Sequence, residues 1–148
     1  MHQDKEYAAA LLVERLIHDT YPDKQPASMK PLQWSILRYL KSVEDRAVDL
    51  STIARYLGRT NAPISRAVST LCERGLLTKR NLPGSAAVAI SLTKEGVAQL
   101  ERDPMHSLAS WIAELPSSEC EVFLKSIRKI AMTANSQGKG SNEDDTGH

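Results

Sequence analysis

Asp49-Leu50-Ser51-Thr52-Ile53-Ala54-Arg55-Tyr56-Leu57-Gly58, followed by Arg59-Thr60-Asn61-Ala62-Pro63-Ile64-Ser65-Arg66-Ala67-Val68-Ser69-Thr70-Leu71-Cys72-Glu73-Arg74-Gly75, is the stretch that decides the fold. Asp49 carries the short acceptor side chain of an N-cap, Leu50, Ile53, Ala54 and Leu57 recur at helical spacing, and Gly58 ends the helix after about two turns. So short a helix cannot stand alone. Thr60 is placed to cap the next one, and Pro63 falls in its first turn, where an amide has no intrahelical partner. Ile64, Val68 and Leu71 mark the inward side of this second helix, and Gly75 closes it. Its outer side is then Asn61, Ala62, Ser65, Arg66, Ser69 and Thr70, small and polar with one arginine. Two helices joined by a Gly-containing turn, the second with such a face, form the helix-turn-helix pattern. The first helix braces the second, whose N-terminal turns enter the major groove. There small residues permit close approach, and an arginine bonds guanine O6 and N7 together.

The next residues extend this pattern. Leu76 to Arg80 and Ala86 to Leu92 have strand character, with Val88, Ile90 and Leu92 alternating, and Asn81-Leu82-Pro83-Gly84-Ser85 between them reads as a turn. The result is a hairpin, or wing, beside the helix pair. Charge is concentrated in the same region. Residues 51–80 hold Arg55, Arg59, Arg66, Arg74, Lys79 and Arg80 against Glu73 alone, a net +5, whereas residues 1–50 are −1 and residues 81–148 are −3. The whole-chain charge of +1 hides this field. It is either the electrostatic footprint of a polyanion reader or a solvated helical face.

Outward from this centre the chain is helical. Asp4 to His18 carries Leu12, Val13, Leu16 and Ile17 on one side, and Tyr21-Pro22-Asp23-Lys24-Gln25-Pro26 breaks it. Pro31 opens a second helix with Trp34, Leu37, Tyr39 and Leu40 inward, ending near Val43, and Ala47-Val48 is at most a very short strand. Thr93 caps a helix bearing Val97 and Leu100, interrupted at Asp103-Pro104 and resuming through Leu108, Trp111 and Leu115. Ser118 and Glu121 suggest a capping box for a last helix with Phe123, Ile127, Ile130 and Ala134 on one stripe. From Asn135 to His148 the chain has no apolar residue, so a disordered tail is expected. The fold class is mainly α with a small β-hairpin wing (α+β). One domain spans 1–134, with a DNA-binding lobe at about 30–97 and flanking helices at about 4–20 and 98–134. The length of 148 residues, 41% of them hydrophobic and 25% charged, fits one soluble domain. No apolar run reaches a membrane span and Met1-His2-Gln3-Asp4 does not begin as a signal peptide does, so a cytoplasmic location is expected.

Five segments, in this order, resemble the MarR-type winged-helix transcription regulators. They are Leu32-Gln33-Trp34-Ser35-Ile36-Leu37-Arg38-Tyr39-Leu40, Leu50 to Gly58, Ile64-Ser65-Arg66-Ala67-Val68, Leu71-Cys72-Glu73-Arg74-Gly75-Leu76-Leu77 and Ser91-Leu92-Thr93-Lys94-Glu95-Gly96. The flanking helices fit the family plan to about residue 134. The resemblance implies a homodimer whose first and last helices interlock and whose two recognition helices read a pseudo-palindromic operator in double-stranded DNA. It also implies repression relieved by a small, often phenolic, ligand or by oxidation. Many family members place acidic and arginine residues near the wing tip, where this chain has Leu82-Pro83-Gly84-Ser85-Ala86-Ala87. The wing base, with Lys79 and Arg80, is left to meet phosphate.

The candidate DNA-binding residues are therefore Thr60, Asn61, Ala62, Ser65, Arg66 and Ser69 on the recognition helix, with Arg55, Arg59, Lys79 and Arg80 for phosphate or the wing. Arg74 is equally an ion-pair partner within the lobe. Cys72, beside core-facing Leu71, reads as a buried inert thiol, and Cys120, near a helix start, is the candidate for thiol-based redox sensing. Trp34 and Trp111 are core or interface aromatics, or line a pocket for an aromatic ligand. His2, His18, His106 and His148 have no ligand spacing, and no metal or other cofactor is expected. No nucleophile, carboxylate pair or phosphate-cradling loop stands in a catalytic frame, so the chain is not expected to be an enzyme. The competing reading is a winged-helix protein-interaction module, which has the same core but needs no basic face.

Overall fold

The helix pair around Gly58 forms as its caps dictate. In this computed structural model, which describes residues 3–21 and 28–140, Asp49 Oδ1 accepts the Thr52 N–H at 2.9 Å and the Thr52 hydroxyl at 2.7 Å, which starts helix α3 (Leu50–Leu57). Gly58 ends it at φ +63°, with Arg59 N–H donating to Ala54 O and Gly58 N–H to Arg55 O. That pairing uses orphan carbonyls of the last turn and needs a left-handed residue. Helix α4 (Asn61–Glu73) ends the same way at Gly75, where Leu76 N–H donates to Leu71 O at 2.9 Å. Thr60 occupies the α4 N-cap position with extended backbone, yet its side chain makes no cap hydrogen bond among the described residues.

Before this pair come α1 (Gln3–Thr20) and α2 (Pro31–Ser42). Pro31 opens α2 as expected, and the Lys30 N–H is taken up by Gln33 Oε1 at 2.9 Å, a cap the sequence reading did not identify. After the pair come β1 (Leu77–Asn81) and β2 (Val88–Leu92), antiparallel, with Leu77 opposite Leu92, Lys79 opposite Ile90 and Asn81 opposite Val88. The wing tip turns at Pro83-Gly84, with Ser85 N–H donating to Leu82 O at 3.2 Å, and the connection is 82–87 rather than the expected 81–85 because Asn81 still pairs with Val88. Val48 adds a single bridge to Ile90, the very short strand expected there. Helix α5 (Lys94–Gln99), capped by Thr93 Oγ1, runs into one 3-10 turn at Leu100–Arg102. Asp103-Pro104 then interrupts the chain before α6 (Met105–Ala113).

Two units are distinguished, Met1–His106 and Ser107–His148. The core of the first is one cluster of Trp34, Ile36, Leu37 and Leu40 from α2, Ile53 from α3, Ile64, Val68 and Leu71 from α4, and Leu76, Leu77 and Ile90 from the hairpin. Each fully buried aliphatic side chain contributes on the order of 1.5–3 kcal/mol, which offsets the low intrinsic stability of an eight-residue α3. The second unit holds the rest of α6 and helix α7 (Ser117–Gly140).

Two expectations about α7 change. Cys120 N–H donates to the Pro116 carbonyl at 2.9 Å, so Pro116 holds the cap position and Ser118 lies inside the first turn, where the Ser118–Glu121 box does not apply. The helix also continues through 135–140, where a disordered tail was expected, because Ala134 and Gln137 sustain it despite the polar composition. The rest of that tail, 141–148, lies outside the described residues, as do residues 22–27 of the expected break after α1.

Candidate nucleic-acid interface

The α4 face turned away from the core carries the sequence candidates. Ile64, Ala67, Val68 and Leu71 are buried, whereas Asn61, Ala62, Arg66 and Ser69 are exposed and Ser65 is half-buried. With Thr60, also exposed, they make one stripe along the first three turns. The helix presents no acidic side chain there; Glu73 stands at the far end. Arg66 therefore projects from a surface of hydroxyls, one amide and one methyl, which permits a groove edge to approach closely.

The phosphate candidates lie on separate elements. Arg55, at the last turn of α3, and Arg59, in the turn after it, are exposed, as are Lys79 and Arg80. Among the described residues none of these four, nor Arg66, forms an ion pair, so their charge is available to a polyanion. Arg74 is exposed too but takes part in an interaction of its own. The hairpin register separates the two wing cations. Adjacent strand residues face opposite sides, and Lys79 lines a groove of about 270 Å³ with Asp49, Leu50, Ser51, Val88 and Ile90, while Arg80 lies on the other face of the ribbon. Ser51, in the first turn of α3, is thereby placed beside Lys79. Its signal in sequence was only its position two residues after a cap.

Asp49 is the one carboxylate of this groove. The Thr52 hydroxyl and the Thr52 N–H hold its carboxyl below the ordinary value, so it stays ionised as a cap. A partly buried ion pair lies elsewhere in the lobe, between Arg38 on α2 and Asp103 after the 3-10 turn, and no spacing rule links residues so far apart. Cys72 is half-buried against the core and Cys120 half-buried on α7; both are free thiols. Trp34 belongs to the core, and Trp111 is exposed on α6. Among the described residues no group of three or more His, Cys, Asp or Glu is placed to hold a metal ion, and no helix is long and apolar enough to cross a membrane.

The architecture of a braced polar helix and a hairpin is matched at the sequence level. Residues 29–96 match the family model described as the winged helix DNA-binding domain. These residues have the winged-helix fold, and the match spans less than half of the chain. Solved structures share the fold of this domain and its flanking helices. MepR of Staphylococcus aureus, a transcription regulator of the multidrug efflux pump MepA, is 17% identical over 87% of this chain and 97% of its own, with a TM-score of 0.69. MepR in complex with DNA superposes with a TM-score of 0.69 at 16% identity, covering 90% of this chain and 98% of that one. PcaV of Streptomyces coelicolor, a transcriptional regulator bound to its natural ligand, is 24% identical over 85% of this chain and 91% of its own, with a TM-score of 0.62. No curated protein matches the sequence. The expected mainly helical winged-helix fold and the resemblance to the MarR type are borne out at the level of the fold. Within this fold, α4 is the second helix of the helix-turn-helix and β1–β2 form the wing.

Proposed function

We propose that this chain is a homodimeric transcription regulator that binds double-stranded DNA sequence-specifically and acts as a repressor responsive to a small aromatic ligand. The observation that carries the DNA-binding part is the exposed, acid-free first three turns of α4, centred on Arg66, in a winged-helix DNA-binding domain. Arg66 is assigned to a guanine edge. Thr60, Asn61, Ala62, Ser65 and Ser69 fit the groove around it, by hydrogen bonding or by close approach. Arg55, Arg59, Lys79 and Arg80 supply sequence-independent affinity for phosphate, with Lys79 acting from the α3 side of the wing and Arg80 from the other.

Dimerisation is supported by apolar surface that each unit leaves exposed. On α1, Tyr7, Leu11, Leu12, Val13, Leu16 and Ile17 are exposed, and on α7 so are Val122, Phe123, Leu124, Ile130 and Met132. Monomeric proteins rarely leave contiguous apolar patches of this kind uncovered, and two-fold pairing covers them while duplicating the recognition helix. Two recognition helices related by a dyad read a pseudo-palindrome. The structure of PcaV with its natural ligand supports a ligand-responsive reading, and the MepR–DNA complex supports the DNA-binding one. The reading assigns no catalytic step to the chain and places it in the cytoplasm.

Selection of bound duplexes from a random pool at stated salt tests the proposal. Enrichment of a palindromic site supports it. A pool that never departs from random composition contradicts it and favours a winged helix used for protein interaction.

A further inference from the structure

One guanidinium ties together three segments of the first unit. Arg38, in the middle of α2, donates from Nε to Asp103 Oδ2 at 2.7 Å and from Nη2 to Asp103 Oδ1 at 2.6 Å, and Nη2 also donates to Tyr21 Oη at 3.0 Å. Tyr21 directly follows α1 and packs against the core. Asp103 is 8% exposed, and its Oδ1 accepts the N–H of Met105, the first residue of α6, at 2.9 Å. The end of α1, the body of α2 and the start of α6 therefore meet at one side chain. A forked pair constrains direction as well as distance, because both N–H vectors of a rigid plane must meet both carboxylate oxygens. The pair differs from the exposed surface contact of Arg15 with Asp19, which spans 3.9 Å and is worth little. None of the residues assigned to DNA takes part in it.

We propose that Arg38 and Asp103 are positioning residues that set which half-site spacing the dimer accepts. The inference rests on the dimeric DNA-binding reading. In that reading α1 and the helices after Asp103 build the dimer, and α2 is the first helix of the lobe that carries α4. The pin therefore holds the end of α1, which that reading places at the dimer seam, and the first residue of α6 against α2. One extra base pair between half-sites turns the second site by about a tenth of a helical turn and moves it along the axis. A lobe held at one angle rejects that displacement, and a lobe free to swing accommodates it. Base recognition by α4 is local and does not change.

The test uses the half-site selected by the wild-type protein, arranged as inverted repeats whose spacer varies one base pair at a time. Asp103→Asn leaves an acceptor for the Met105 N–H but removes the charged fork; Tyr21→Phe keeps the ring in the core and removes only the hydroxyl. Wild type is expected to prefer one spacer over its neighbours by about tenfold, a discrimination of the size one mismatched pair commonly gives. Asp103→Asn should reduce that preference to about threefold or less, with Tyr21→Phe between the two and the base preference within each half-site unaltered. An unchanged spacer preference in both variants, or an equal loss of affinity for every spacer, would overturn the proposal. Should Asp103→Asn lose its helical circular dichroism, Tyr21→Phe decides alone, a sharp wild-type spacer preference retained in it counting against the pin. A wild-type protein indifferent to paired half-sites would instead contradict the dimeric reading itself, and the pin would fall with it.

Discussion

Gly96→Ala is expected to destabilise the domain although it replaces a helix-breaking residue with the best helix former. Gly96 sits in the first turn of α5, where a Cβ would clash with the Leu76 carbonyl oxygen and lie 3.0 Å from Leu92 Cδ2. The oxygen is backbone, so α5 or the start of β1 has to move. The same carbonyl accepts the Thr93 N–H at 3.1 Å, and Thr93 Oγ1 donates to Gly75 O at 2.6 Å while accepting the Gly96 N–H at 3.0 Å. Moving α5 away strains the joint between the end of α4 and the helix that follows the wing. Overpacking costs about 1–3 kcal/mol. One or two weakened hydrogen bonds add about 1 kcal/mol each. Helix propensity returns about 1 kcal/mol. The net expectation is a loss of about 2–3 kcal/mol, which at a urea slope of about 2 kcal/mol/M lowers the midpoint by roughly 1–1.5 M at fixed protein concentration. Urea unfolding followed by circular dichroism measures it. An unchanged or raised midpoint, with the slope unaltered, would refute the claim that this contact is tight.

Other consequences are equally open to measurement. Replacing Lys79 and Arg80 with alanine should weaken binding to all duplexes alike and flatten the dependence of log affinity on log salt by roughly 0.9 for each phosphate no longer neutralised; anisotropy titrations at several salt concentrations read this, and a loss of base preference would contradict it. Because the two side chains lie on opposite faces of the ribbon, the single variants should differ in slope. Burial alone would raise the Asp103 carboxyl, but the Arg38 fork and the Met105 N–H outweigh it and hold it below the ordinary 3.8. Stability from this pair is then fully present above that value and is lost as pH falls through the lower folded one, so Asp103→Asn should cost about 2 kcal/mol at pH 7. The gap from wild type should narrow in strong acid, as urea midpoints at several pH values will show. Sedimentation should give a species of about twice 16.3 kDa, and Phe123→Asp with Ile130→Asp should yield a folded monomer; a wild-type monomer at micromolar concentration would contradict the dimer.

Much of the lobe was legible because its signals are local. Asp49, Gly58, Gly75 and Thr93 act within four residues of where they stand, and the spacing of Ile64, Val68 and Leu71 identifies the buried side of α4 and so, by exclusion, the exposed stripe around Arg66. The period-two rule likewise separates Lys79 from Arg80, although only the register with Ile90 and Ala89 shows which of them faces α3. What the sequence left hidden depends on contacts between distant residues. Arg38 and Asp103 are 65 positions apart, and nothing near either one marks it as half of a forked pair. The crowding at Gly96 depends on where the Leu76 carbonyl lies after the chain has passed through the wing. The extent of α7 was underestimated because composition weighs polar residues as loop formers, whereas a long helix already begun propagates through them.

The central claim, that α4 reads bases through Arg66, is tested most directly by titrating wild-type protein and Arg66→Ala with the selected duplex and with its single-base variants at one stated salt concentration. Wild type should discriminate among the variants, and Arg66→Ala should lose about 1–3 kcal/mol per half-site on the selected duplex while its discrimination at one base position collapses. A variant of native circular dichroism that binds every duplex more weakly by the same factor would make Arg66 a phosphate contact, and wild-type protein that binds the selected and scrambled duplexes equally would contradict sequence-specific recognition altogether.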